Sequence, residues 1–318
     1  MAAKPVLCIV TPGTPRANNG NWRTASRWAR MLRERFRVIV QTEWDGRDCA
    51  AMIALHARHS APSIARFHEA KGSRHLAVVL TGTDLYRDLP GSAEARHSLD
   101  VAGHIVVLQD EARRALHPRW RRKAQVIFQS AEPVPRERRN DRGLLCVAVG
   151  HLRDEKDPGT LFAAVERLPA GLPIRIRHIG EALDANLGAK AKALAAREPR
   201  YEYRGALPRG RTRAAIARAD ILIHPSKMAG GANVVVEAVT SRTAVIASGI
   251  PGNMGMLGRS YPGYFRVGDA SDLARRLVQA CEDPRYLEAL GRACATRRPL
   301  FAPAAEARAI RALAKSLL

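Results

Sequence analysis

Short apolar runs bounded by turn residues recur through the first part of the chain: VLCIV, RVIVQ, AAMIAL, HLAVVL, HIVVLQ and QVIFQ. Each is apolar on both faces, and most are separated by helical or polar stretches. That pattern predicts parallel strands buried between helix layers, not the alternation of a half-exposed sheet. After SAEPVPRERRNDRG the pattern begins again with LLCVAVG, IRIRHIG, YEYRG, DILIHP, AVIAS and YFRVG. Two similar sets of about six strands predict an α/β protein of two doubly wound halves. The stretch 131–143 carries two prolines and alternating charge without an apolar period, so it reads as the linker. The boundary falls near Asn140, giving a Rossmann-like domain over 1–140 and a second over 141–318. The tail PAAEARAIRALAKSLL has helical spacing and can pack on either domain, crossing back to the first if it does so there. Two such halves place a cleft at the carboxyl ends of their strands, where open α/β proteins bind ligands.

Composition narrows the partners. At 318 residues the chain suits two domains, and 52 Lys and Arg against 30 Asp and Glu give a net charge of +22. That sign suits polyanions, membrane surfaces or small phosphorylated ligands. The arginines occur along the whole chain, and the densest clusters, RRKAQ and PRERRNDR, have no aromatics between them to stack bases on. They read as solvated surface and linker, so neither nucleic acid nor a membrane is the expected partner. Five cysteines, Cys8, Cys49, Cys146, Cys281 and Cys294, form no CxxC pair. Neither a disulfide framework nor a zinc site is indicated, and no essential metal is expected. MAAKPVLCIV has too short an apolar core for a signal peptide, and no run reaches the roughly 20 apolar residues of a membrane helix. A cytoplasmic location follows as the expectation.

Three loops after strands carry candidate chemistry. The first is TPGTPRANNGNWRTASRWARML, residues 11–32, whose two prolines, two glycines and three asparagines exceed what chain reversal needs. The second, VAVGHLRDEKDP, ends a strand at Gly150 and then presents His151, Arg153 and Lys156, cations well placed to neutralise phosphate. In the third, a strand ends at His224, Gly230 and Gly231 precede a helix with Asn233 in its first turn, and Glu237 follows. Free N–H groups at a helix start attract a diphosphate, and a carboxylate slightly further along can accept both hydroxyls of a ribose.

These residues resemble the group-4 class of glycosyltransferases of the two-Rossmann (GT-B) architecture. That class binds nucleotide sugar through a Gly-x-x-x-x-x-Lys loop and two glutamates spaced by seven residues; Gly150, Lys156 and Glu237 match, as does GTD at 82–84. The resemblance covers nearly the whole chain. It implies two facing domains with the active site in the cleft, Lys156 on the diphosphate and Glu237 on the ribose. It also implies that the ILIHPS strand and the loop of Gly230, Gly231, Ala232, Asn233 and Val234 surround the donor. Two positions depart from the class: Ala229 stands where it carries its first glutamate, and His151 where an arginine is usual.

The opening loop, LTGTDLYRDLP and HARHSAPSIARFH together resemble the selenosugar synthases of bacterial selenoneine biosynthesis, a group-4-like branch. That family joins selenium from selenophosphate to the anomeric carbon of a UDP-sugar, UDP-N-acetylglucosamine or UDP-glucose, with release of UDP and phosphate. The resemblance implies functional links to a selenophosphate synthase and to a downstream C–Se bond-forming enzyme. Selenophosphate is already an anionic nucleophile, so no general base is demanded, and an alanine at 229 lessens repulsion of it.

On this reading the backbone N–H groups from Gly13 through Thr14 and Gly20 to Asn21, together with Arg16 or Arg23, form an anion nest for the acceptor. Asn18, Asn19 and Asn21 act as donors or as the helix cap, and Thr24 offers a hydroxyl one turn further on. Trp22 and Trp28 lie near one side of that helix and read as packing residues. His56, His59 and His68 are candidates to line the cleft, HARHS following a strand, and Asp84 either hydrogen-bonds sugar or acceptor or caps LYRDL. Two other readings stay open: a conventional nucleotide-sugar transferase acting on a hydroxyl acceptor, and a basic nucleic-acid-binding protein.

Overall fold

The computed structural model describes residues 3–14, 20–136 and 143–318. Every one of the twelve apolar runs supplies a strand. The first six are β1 (Val6–Val10), β2 (Arg37–Gln41), β3 (Ala51–Leu55), β4 (Leu76–Leu80), β5 (His104–Val107) and β6 (Ala124–Val126). They form one parallel sheet in the order β2-β1-β3-β4-β5-β6. The second six are β7 (Leu144–Val149), β8 (Ile174–Ile179), β9 (Tyr201–Tyr203), β10 (Ile221–His224), β11 (Ala244–Ser248) and β12 (Tyr264–Phe265). Their parallel sheet runs β12-β11-β10-β7-β8-β9. Continuous apolar sequence is what such strands require, because helices cover both faces; all five residues of β3, β4 and β11 are buried.

In each sheet the winding direction reverses beside the first strand, between β1 and β3 and between β7 and β10. A doubly wound sheet opens at that reversal, on the carboxyl side, because the loops leaving the two strands cross to opposite faces. The opening loop leaves β1, the HARHS stretch leaves β3, the Lys156 loop leaves β7 and the HPS stretch leaves β10. Topology thus brings the candidate loops to two such points.

The chain divides into two compact units. One comprises Met1–Ser130, Ala229–Ala232 and Pro303–Leu318, the other Ala131–Met228 and Asn233–Ala302. The units part after Ser130, upstream of the Asn140 boundary read from sequence, and residues 137–142 lie outside those described. The tail forms the helix Pro303–Ser316, which belongs to the first unit. Its apolar stripe of Ile310, Leu313, Ala314 and Leu317 joins Trp28, Leu32 and Phe36 in one core cluster. A buried carboxylate fixes the helix in place: Glu306 accepts from Trp28 Nε1 at 2.6 Å, Arg27 Nε at 2.7 Å and Ser130 N at 2.8 Å. Burying that charge is tolerable because donors surround it. Among the described residues no helix is long and apolar enough to cross a membrane.

Candidate functional site

In the second unit the β7 loop is held rigidly. Leu152 bridges Ala182, and a single tight helical turn, Asp154–Lys156, ends at Asp157 in a left-handed conformation (φ 48°). Asp157 then caps the helix Pro158–Glu166, accepting from Thr160 Oγ1 at 2.6 Å. Gly180, just past β8, lies so close to the carbonyl of Gly150 that a Cβ there would sit 1.8 Å from that oxygen. Sequence reading passed over Gly180, because the contact that demands it comes from a different strand.

Lys156 is thereby fixed beside the sheet end, its stem against Gly150. Its ammonium makes no hydrogen bond or ion pair among the described residues, and burial, followed by repulsion from Arg153, pushes its pKa down to about 8. Arg153 and His151 are exposed; Arg153 lies 3.7 Å from Glu155, and His151 Nδ1 accepts from Glu181 N at 3.3 Å.

His224, the last residue of β10, is buried and held neutral. Desolvation, helped by the Lys156 charge, drives its pKa to about 3. Its Nε2 lies 3.3 Å from Ser226 Oγ, while its Nδ1 and the buried Oδ1 of Asn253 have no hydrogen-bond partner among the described residues. Asn253 is positioned by donating to Ser248 O at 2.9 Å. It is a polar group that sequence reasoning did not assign, and its signal was the GIPGN turn after β11. Glu237 lies in the second turn of the helix Asn233–Thr240, buried, with Arg209 and Arg213 each 3.9 Å from its Oε1. Asn233 and Val234, at that helix start, are half-buried.

Gly230 and Gly231 serve a purpose that sequence reading did not give them. A Cβ on Gly230 would lie 2.3 Å from Thr81 O and 2.5 Å from Gly82 Cα; one on Gly231 would meet Gln129 Oε1 at 2.8 Å. Close approach of two backbones excludes a side chain at Gly230, and the Gln129 and Leu108 side chains crowd one at Gly231. Ala229 and Ala232 are buried beside them, within the first unit.

Around the β1 loop, Arg16 and Asn19, with Asn18, lie outside the described residues. Gly13 is buried, its N–H 3.4 Å from Thr11 Oγ1, while Thr14 and Gly20 are exposed and Asn21 and Arg23 are half-buried. Two candidate site residues, Thr24 and Asp84, are bound up in the fold. Thr24 is buried, its hydroxyl donating to Gly20 O at 3.0 Å and accepting from Gln129 Nε2 at 2.6 Å. Asp84 is fully buried: its Oδ1 accepts from the N–H groups of Thr81 (2.7 Å), Gly82 (2.9 Å) and Leu85 (3.1 Å), and its Oδ2 from Ala57 N (3.1 Å). It ties the turn after β4 to the turn after β3.

Among the described residues, His56, His59 and Asp88 bring metal-type donor atoms within 4.8 Å of one another. The ring of His56 decides how they behave. Its Nδ1 accepts from His59 N at 3.2 Å, so the proton of the neutral imidazole sits on Nε2, 3.2 Å from Thr83 Oγ1 and 3.7 Å from Asp88 Oδ2. A ring in that state has no lone pair free for a cation, and the trio fits a hydrogen-bonded cluster instead. His68, on the helix Ala61–Lys71, lies 3.4 Å from Ser73 Oγ and does not join it.

The fold is shared with solved glycosyltransferases. Anabaena HepE in complex with UDP-glucose superposes with a TM-score of 0.76 at 15% identity, over 98% of this chain and 99% of that one. Sucrose-phosphate synthase from Thermosynechococcus elongatus gives 0.77 at 15% identity, over 99% of both chains. The pneumococcal O-GlcNAc transferase GtfA, in complex with UDP and GlcNAc, gives 0.68 at 14% identity, over 84% of this chain and 57% of that one. No curated protein matches the chain. Two parallel six-stranded α/β sheets in this arrangement are the GT-B architecture. The family model of glycosyl transferases group 1 matches residues 131–297, over half of the chain, and the protein belongs to that family.

Proposed function

We propose that this glycosyltransferase is a selenosugar synthase: the selenium of selenophosphate displaces UDP from a UDP-hexose, and water then cleaves the Se–P bond to give a selenosugar and phosphate. The observation that carries the donor half of this reading is Lys156, a cation at the reversal point of the second sheet that makes no hydrogen bond or ion pair with a described group. A diphosphate at that place supplies the missing charge, and the buried Glu237 carboxylate supplies acceptors for a ribose. HepE, solved with UDP-glucose, has the same fold, which favours a UDP-sugar. Selenophosphate as acceptor is supported by the resemblance of the opening loop, LTGTDLYRDLP and HARHSAPSIARFH to the selenosugar synthases. With Thr24 and Asp84 taken up by the fold, acceptor recognition falls to Asn21, Arg23 and the N–H groups at the start of the helix Gly20–Leu32.

The chemistry asks little of the protein at the nucleophile. Selenophosphate arrives as an anion, so the protein's tasks are to hold it and to stabilise the departing diphosphate with Lys156 and Arg153. The deciding experiment incubates purified protein with UDP-glucose or UDP-N-acetylglucosamine and selenophosphate and identifies products by mass. A selenium-bearing hexose formed together with UDP is expected. Turnover with a saccharide or lipid hydroxyl, and none with selenophosphate, would overturn the acceptor assignment and establish a conventional transferase.

A further inference from the structure

Among the described residues no acid forms a hydrogen bond or an ion pair with Lys156, and those near it are held by other groups. Asp154 pairs with Lys227 at 2.6 Å, Glu155 lies 3.7 Å from Arg153, and Asp157 accepts from Thr160. Around the Lys156 amine stand the Arg153 guanidinium and, with a smaller opposing effect, the Glu155 carboxylate on its own turn, and the neutral His224 ring from the end of β10. A cation enclosed this way is stabilised poorly in the free protein and strongly by a bound dianion.

We propose, building on the nucleoside diphosphate reading above, that Lys156 couples nucleotide capture to proton uptake: the ligand supplies the counter-charge that the protein directs elsewhere, and the amine takes a proton from the buffer as it binds. The amine of the free protein titrates at about 8, and a neighbouring diphosphate raises that value. The sign follows from linkage. Below the free value the amine is already charged and affinity is flat; above it, binding must first protonate the amine, and affinity falls about tenfold per pH unit until the bound form also titrates. Of the other groups around the amine, His224, at about 3, stays neutral, and Lys227, raised by Asp154, stays charged.

Calorimetric titration with UDP at pH 7 and pH 9, each in two buffers of different ionisation enthalpy, reads both the affinity and the protons taken up. We expect uptake approaching one proton per UDP at pH 9, and a Kd about tenfold weaker there than at pH 7. Lys156→Arg, charged throughout, should lose both the buffer dependence and the slope, and it subtracts any titration of UDP itself. Should arginine not fit the site, Lys156→Gln, neutral throughout, supplies the same subtraction. Equal affinity at the two pH values with no buffer dependence would overturn the coupling and leave the nucleotide reading intact. An undiminished slope in Lys156→Arg would place the proton on another group. No UDP binding at either pH would overturn the nucleotide reading and the coupling with it.

Discussion

Lys156 and Asp84 show how differently two charged residues in loops after strands can be used. Lys156 has no described partner, whereas Asp84 is surrounded by four backbone donors. Replacing Lys156 with Ala should therefore cost ligand binding: about tenfold to a hundredfold in the Kd for UDP, the worth of a charge-assisted hydrogen bond, with little change in stability. Glu237→Ala should weaken UDP by a similar factor, and calorimetry on both variants checks the assignment. Asp84→Ala should do the reverse. It strands several buried N–H groups at once, so urea denaturation should show a loss of at least about 3 kcal/mol, with Asp84→Asn recovering part of it. In sequence Asp84 reads equally as a ligand for sugar or acceptor and as a cap of LYRDL. The donor that fixes the role of Asp84, Ala57 N, stands 27 residues earlier, and no local pattern announces it.

At the level of elements, the strands were the most legible part. Parallel strands covered on both faces are written as unbroken apolar runs, and all twelve were readable at their positions. Helix pairing was not, because its determinants are remote: Glu306 reaches Arg27 across 279 residues. The site divides along the same line. Lys156 and Glu237 stand in compact motifs, whereas Asn253, Gly180 and the role of Gly230 depend on neighbours brought by other strands. Gly230→Ala should accordingly disrupt the packing of the turn at Thr81 and Gly82, since the new methyl would lie 2.3 Å from a carbonyl oxygen. A lowered unfolding midpoint is expected, and unchanged stability would show that the two turns separate easily. Glu306→Ala should leave Arg27 and Trp28 without their acceptor and cost about 3–5 kcal/mol by denaturation.

The whole molecule carries a formal charge of +22, and the question at this scale is what that charge is for. Many arginines are paired with acids or with backbone carbonyls, as Arg200 is with Glu198 and Pro169 O. Such a surface attracts polyanions without selecting among them. Duplex DNA should thus bind weakly and lose affinity steeply between about 50 and 200 mM salt, whereas UDP, held by few cations, should change by about tenfold or less. A fluorescence titration at both salt concentrations tests this; a nucleic acid that stayed bound at the higher one would mark a true nucleic-acid surface.

The discontinuity of the first unit has a consequence for synthesis on the ribosome. Its sheet is complete by Val126, yet its core still needs Ile310, Leu313 and Leu317, while the second unit is closed by Ala302. Domains usually mature in the order in which they emerge. Here the order inverts: the second unit has all its parts while the nascent first unit still exposes the faces of Trp28 and Leu32 that await the last helix. The half made first is then the last to be finished, and it is the one that a chaperone would have to shield.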